Sequence, residues 1–407
     1  MKPVPVRTVL VPLLEPQPDA SGASPHGFAL FRLGFRPFYL LAALFAALSV
    51  PLWIAQFAGA LPPPSAYPAM LWHAHEMSFG FTLAVIVGFL LTAARVWTGL
   101  PTPSGIPLAG LAAVWIAARV FNYFGPSPAA MLADAAFLIL PMIALGLVLV
   151  KARSYRNLFV LVVLTAFLVA NTLFHLAVAA RVAFAPMTAV HFFVFTVVML
   201  TGVIGGRVIP SFTASALPGV RQYRYRWLDA LALIGTAAAL LLVLFAAPVA
   251  PTVAACIGAA ALQAARLAGW NPWAARRQPL LWILHLSYAW IPLGLVLLAA
   301  SAAGRLPMSA GVHALTLGAI SGLIIGMITR TALGHTGRPL RAGAVEIAAY
   351  LLVQSAALIR LVPMVVSGQE YLPWTIAAAS AWSLAFALYF AKYAPMLAAP
   401  RLDGRDG

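Results

Sequence analysis

The chain is predicted to be an all-α polytopic membrane protein of about twelve spans. Three observations carry this: apolar runs recur at close to membrane-spanning length, charge is scarce, and the charge present is distributed one-sidedly. Of 407 residues, 63% are hydrophobic and only 8% charged, with a mean hydropathy of +0.95. A soluble chain of this length would need far more polar surface. The short alternating segments of a membrane β-barrel are absent from the sequence.

The runs can be placed in order. The first, Phe35–Phe57, follows a Pro-rich stretch without the compact apolar core of a signal peptide, so residues 1–34 read as a tail rather than a cleaved leader. Next come Met70–Ala93, Ile106–Phe121, Met131–Val150, Leu158–Ala180 and Met187–Ile209. The seventh and eighth, Leu228–Phe245 and Val253–Trp270, are short and could form one broken pair around Pro248 and Pro251. Leu280–Ser301, Gly311–Thr329, Val345–Val366 and Leu372–Lys392 complete the set. Residues 35–393 thus form a single membrane domain, and 394–407 a second tail. The lone Cys256 lies inside an apolar run, which excludes disulfides and thiolate metal sites within one chain.

The formal net charge of +16 could suggest a nucleic-acid partner, but its placement indicates topology instead. Lys and Arg fall 21 to 4 in alternate connections, only Arg119, Arg181, Arg305 and Arg360 lying on the poor side. By the positive-inside rule both termini are cytoplasmic, in what would be a bacterial inner membrane, and the lipid bilayer is the partner of the bulk surface. No nucleic acid is needed to explain the charge.

With orientation set, depth follows from about 1.5 Å per residue. His73, His75 and Glu76 open span 2; Asn171 and His175 close span 5; His191 and His313 open spans 6 and 10. Arg119 and Asn122 end span 3, and Asp134 begins span 4. Five of the eight histidines therefore share one depth near the outer face. Ionisable groups inside a membrane are costly and usually face a cavity, a metal or one another; imidazole at this density points to a metal or haem site. A regular helix puts His73 and Glu76 on one face and turns His75 about 200° away from His73. Glu76, Asn171, Asp134 and Arg119 are expected to support ligands rather than bind metal themselves.

Span 10 repeats span 2. Aligning His75 with His313 without gaps matches Gly80 with Gly318, Ile86 with Ile324, Gly88 with Gly326, Ala94 with Ala332, Thr98-Gly99 with Thr336-Gly337 and Pro101 with Pro339. Span 6 joins more loosely through Val190-His191. Histidine-bearing helices four apart suggest a three-times-four-helix pseudo-repeat resembling the haem-copper oxidase catalytic subunit, a likeness of layout alone.

Several motifs in order are more specific. Gly34-Phe35-Arg36-Pro37-Phe38, Trp72-His73-Ala74-His75-Glu76-Met77, Gly206-Arg207 through Phe212-Thr213, and Thr329-Arg330 with Gly334-His335-Thr336-Gly337-Arg338-Pro339-Leu340 together resemble the NnrS family. The resemblance spans roughly Phe28 to Tyr393. It implies an inner-membrane protein containing haem and copper, linked to denitrification and nitric oxide stress. On that footing His75 and His313 are expected to bind haem, and His175, His191 and His73 copper, with Met70 or Met187 as supplements. Nitric oxide would be the small-molecule ligand, and any oxidoreductase turnover would draw on quinol or an external electron donor. A transporter or metalloenzyme assembly factor using the histidine layer is the alternative. The cytoplasmic-side Arg36, Arg207, Arg330 and Arg338 read as topology signals, His335 as a turn residue, and Asp229 and Glu346 as candidates for a proton path.

Overall fold

The computed structural model describes residues 27–62, 68–124, 127–366 and 368–404. Twelve helices among them are long and apolar enough to cross a membrane. They are α1 (Phe35–Phe57), α2 (Ala69–Thr98), α3 (Ile106–Phe124), α4 (Ser127–Lys151), α5 (Phe159–Val178), α6 (Pro186–Ala216), α7 (Arg226–Leu244), α8 (Val249–Gly269), α9 (Pro279–Ala302), α10 (Met308–His335), α11 (Ala344–Val365) and α12 (Tyr371–Ala398). The seventh and eighth spans are two separate helices. Phe245 to Pro248 turn the chain between them, with Ala246 at φ 47° and Pro248 capping α8.

Sequential neighbours pack on one another, and α12 returns onto α1. Burial picks out the centre: 83% of the α2 window and 72% of the α10 window are buried, against 22% for α7. The expected tails are partly structured. Helix α12 continues past Lys392 to Ala398, and Leu402 N–H donates to the Thr336 carbonyl. Ala29 N–H donates to the Ala398 carbonyl, so the stretch before α1 is tied to the end of α12; residues 1–26 lie outside the described residues.

Both central helices contain a π-helical turn. It covers Glu76–Thr82 in α2 and Ala314–Ser321 in α10, beginning in each case directly after the aligned histidine. A π turn inserts extra backbone and shifts the register of everything beyond it, and such turns concentrate at functional sites. The aligned glycines also do the same work. A Cβ on Gly88 would stand 2.8 Å from Phe38 Cβ of α1, and one on Gly326 2.8 Å from Leu284 Cδ2 of α9. Gly80 makes room for Arg119, and Gly318 for the Trp290 ring. Close packing through small residues is the usual means by which membrane helices gain contact area. The likeness joins α1–α2 with α9–α10 and is not by itself a threefold repeat of the chain.

Asp229 and Glu346 are both held by partners. Asp229 accepts from Arg266 Nε at 2.6 Å, and Glu346 accepts from Tyr393 Oη at 2.8 Å and Lys392 Nζ at 2.6 Å. These bonds tie α7 to α8 and α11 to α12, a structural role that needs no proton path.

The glycine contacts set an expectation. Gly318→Ala forces a methyl into the Trp290 ring, whose Nε1–H donates to Gln354 at 2.7 Å. Overpacking of this kind costs about 1–3 kcal/mol. Thermal unfolding in detergent should show a lowered Tm, whereas Gly110→Ala, which meets open space, should leave it near the wild-type value.

Candidate metal centre

The π turn begins at Glu76, and that decides which way this carboxylate points. A regular helix would pair it with His73. Instead Glu76 Oε1 accepts from His75 Nδ1 at 2.9 Å and Oε2 accepts from Arg119 Nη1 at 2.7 Å. The expectation that His73 and Glu76 share a face is therefore overturned, because the wide turn re-registers the helix at Glu76. The separation of His73 from His75 holds, since both lie in the regular segment Ala69–His75.

Around His75 four helices converge on one buried cluster. Arg119 reaches from α3 and bridges two carboxylates, donating Nη1–H to Glu76 and Nη2–H to Asp134 Oδ1 of α4. Asn122, one turn further along α3, donates to Asp134 Oδ2 at 2.9 Å. From α5, His175 Nε2 lies 3.1 Å from the same oxygen, and Asn171 Nδ2 lies 3.2 Å from His75 Nε2. His75 Nε2 is itself 3.3 Å from Asp134 Oδ2. Exposure is 0% for His75, Glu76, Asn122 and Asn171 and at most 7% for the others, so water does not screen these charges.

The residues His75, Asp134 and His175 offer three donor atoms that all lie within 4.8 Å of one another, the only such group of His, Cys, Asp or Glu among the described residues. Donors about 2.1 Å from a tetrahedral metal stand about 3.4 Å apart, by the bond lengths of first-row metal sites. The 3.3 and 3.1 Å separations match that edge. Hydrogen bonds also suit the chemistry. Glu76 holds the proton of His75 on Nδ1, which leaves the Nε2 lone pair for Asp134's side of the cluster. The Nδ1 of His175 has no partner, so nothing pins that ring's tautomer.

Charge counting points the same way. Two carboxylates face one guanidinium, which leaves one negative charge in an apolar bundle unless a cation joins the histidines. Only a proton or a metal ion can occupy that place. Asp134, expected to stand behind the ligands, is placed by the structure in the donor set itself. Glu76, Arg119 and Asn171 keep the supporting position expected of them.

His73 points elsewhere. Its ring stacks on Trp53 of α1 at 3.9 Å between centroids, its Nδ1 is buried without a partner, and it lies within electrostatic range of His313 and Arg360. His313 Nδ1–H donates to the Ser309 carbonyl at 2.7 Å, which directs its Nε2 lone pair away from its own helix turn. Arg360 of α11 is buried and held by Thr375 at 3.1 Å and by Tyr371. The structure thus groups His75 with His175 and His73 with His313, on opposite sides of α2. The expected pairings of His75 with His313, and of His175 with His191, are not brought together. His191 is half-buried and lies parallel to Phe195 at 6.1 Å.

Sequence reasoning missed Trp53 and Ser309, which carry no distinguishing signal. Arg360 carried one: it is a basic residue inside an apolar run on the side where basic residues are rare.

A cavity of about 110 Å3 lies between α2, α6 and α10, starting at Thr82 below the cluster and lined by Val85, Ile86, Leu200, Ile320 and Ile324 among others. Apolar cavities of roughly 150 Å3 take up xenon or benzene, so this one is of a size for a diatomic molecule.

Fold and site together define a polytopic helical membrane protein with a buried histidine–carboxylate centre near one end of its bundle. The chain belongs to the NnrS family, whose model matches residues 29–401, nearly its whole length. A search of curated proteins finds no match. Membership in this family suggests a function related to nitric oxide.

Arg119 carries a direct expectation. Arg119→Ala leaves two buried carboxylates without their shared cation, a loss of about 3–5 kcal/mol. Adding Glu76→Gln to that variant removes one of the stranded charges and should restore part of the stability. Denaturant or thermal unfolding in detergent distinguishes this from a simple packing defect, which the second change would not repair.

Proposed function

We propose that this protein is a metal-binding membrane protein that engages nitric oxide or a nitrosylated species, with His75, Asp134 and His175 as the metal ligands. The observation that carries the reading is the convergence of two imidazole nitrogens on one carboxylate oxygen within a cluster that is short of one positive charge. A singly charged ion would bring the cluster to neutrality, which favours copper in its Cu(I) state, and imidazole is a suitable ligand for that metal. A bound transition metal would supply an open coordination position and one-electron chemistry.

The chain's own groups have separate tasks in this reading. Glu76 fixes the His75 tautomer; Arg119 holds both carboxylates in place and keeps Asp134 from collapsing onto either histidine. Asn122 and Asn171 saturate the remaining polar atoms, so the cluster is ordered by hydrogen bonds before a ligand arrives. The apolar cavity below gives a small uncharged diatomic a place next to the centre without exposing it to water.

The His73–His313 side fits haem iron by donor chemistry. His313 has the backbone-anchored Nδ1–H typical of an axial imidazole, and His73 is held flat against Trp53. Haem is thus assigned to His313 and His73, and metal to His75 and His175. By the charge bias of the connections, both would lie toward the outer face of a bacterial inner membrane, with cytoplasmic termini.

Purified protein tests this. Elemental analysis should find near-stoichiometric metal in the wild type and in His191→Ala, and less than a tenth of it in His75→Ala or His175→Ala. A Soret band that shifts on adding nitric oxide should weaken in His313→Ala and His73→Ala. Full metal retention in both His75→Ala and His175→Ala would contradict the assignment.

A further inference from the structure

At the end of the bundle opposite the histidines, the two arginine-bearing loop motifs meet. Arg36 opens α1 and is wholly buried. Its Nη1 donates to the Leu397 carbonyl at 2.8 Å and the Ala399 carbonyl at 2.7 Å, capping the end of α12. That leaves Nε and Nη2, both buried and both without a partner. These two atoms form one edge of the guanidinium, the edge that binds an oxyanion in fork fashion.

The surroundings add positive charge and very little negative. Arg338, just past α10, has a buried Nη1 without a partner. Arg32, Arg338 and Arg401 all lie within electrostatic range of Arg36. The His335 ring sits 5.5 Å from the Phe35 ring, within range of Arg36 and Arg401, and its nitrogens make no hydrogen bond to the chain. The one acid in contact, Asp403, is committed to Arg401 through bonds of 2.7 and 2.6 Å. Four guanidiniums thus face one carboxylate. Retention of positive charge on the cytoplasmic side explains arginines at a surface; it does not explain burying one with its fork edge open.

We propose that Arg36, Arg338 and His335 form a binding site for a phosphate oxyanion, separate from the metal centre. Arg36 supplies the fork, Arg338 a second charged donor, and His335 a ring N–H. The phosphate could come from an anionic phospholipid headgroup or from free inorganic phosphate. Adjoining residues suit the first source: a cleft lined by Arg32 and Arg95 lies alongside, with Phe28 and Ile106 exposed at its margin. Basic pockets between spans on the cytoplasmic side commonly take anionic headgroups.

The test is thermal unfolding of delipidated full-length protein in neutral detergent. Inorganic phosphate is titrated against chloride at matched ionic strength, and phosphatidylglycerol against phosphatidylcholine in mixed micelles. The wild type should show a saturable rise in Tm of at least about 3 °C with one of the two phosphate-bearing probes and not with its control. A rise with phosphatidylglycerol alone assigns the lipid; a rise with inorganic phosphate assigns the free anion. Arg36→Lys keeps the charge but loses the fork, and should lose more than half of the rise. Arg338→Gln, which leaves the α12 cap intact, should do the same, while the distant Arg276→Gln should not. No rise with either probe, an equal rise with the controls, or an undiminished rise in Arg338→Gln would overturn the proposal.

Discussion

Everything near the histidine end of this bundle depends on one guanidinium placed between two carboxylates. Arg119 takes Glu76 with one Nη and Asp134 with the other, deep enough that water contributes almost nothing. Breaking such an arrangement costs far more than it contributes when intact, because each charge left behind is stranded in a medium that cannot solvate it. The pair of bonds therefore fixes α2, α3 and α4 relative to one another. It also sets the electrostatic problem that the histidines of α2 and α5 complete, since one negative charge remains to be balanced.

The geometry requires two local features of α2. The π turn at Glu76 rotates the carboxylate away from His73 and toward Arg119, and Gly80 leaves space for the guanidinium: a Cβ there would lie 2.8 Å from Arg119 Nη1 and 3.0 Å from Glu76 Oε2. The Gly80 carbonyl then accepts from Trp115 at 3.1 Å, so the widened turn is satisfied by a side chain from α3. With the cluster held on one face, the other face of α2 is left to His73, Trp53 and His313. One helix thereby serves two polar groups of different chemistry: one rich in carboxylate, the other rich in neutral imidazole beside a buried arginine.

Much of the architecture was legible in the sequence because membrane physics writes it in one dimension. Span number, the depth shared by five histidines and the likeness of α2 to α10 follow from run length, residue rise and glycine spacing, and the structure keeps all three. What was not legible lies across helices. Nothing in the sequence places Asp134 of α4 over both His75 and His175, because lateral packing is not encoded in depth. The Glu76 orientation failed for a sharper reason: a regular helix was assumed where the chain forms a π turn. Arg36 and Arg338 read as surface charge until the fold showed one of them buried. Their motifs differ from ordinary connections in being followed at once by apolar helix, a signal visible only in hindsight.

The central claim is that a metal ion sits among His75, Asp134 and His175. X-ray absorption at the metal edge of the purified protein tests it most directly. The account expects a first shell of nitrogen and oxygen at about 2.0–2.2 Å, with the outer-shell scattering of two imidazoles, and loss of one imidazole contribution in His175→Ala. A shell dominated by sulfur, or a spectrum unchanged in that variant, would contradict it.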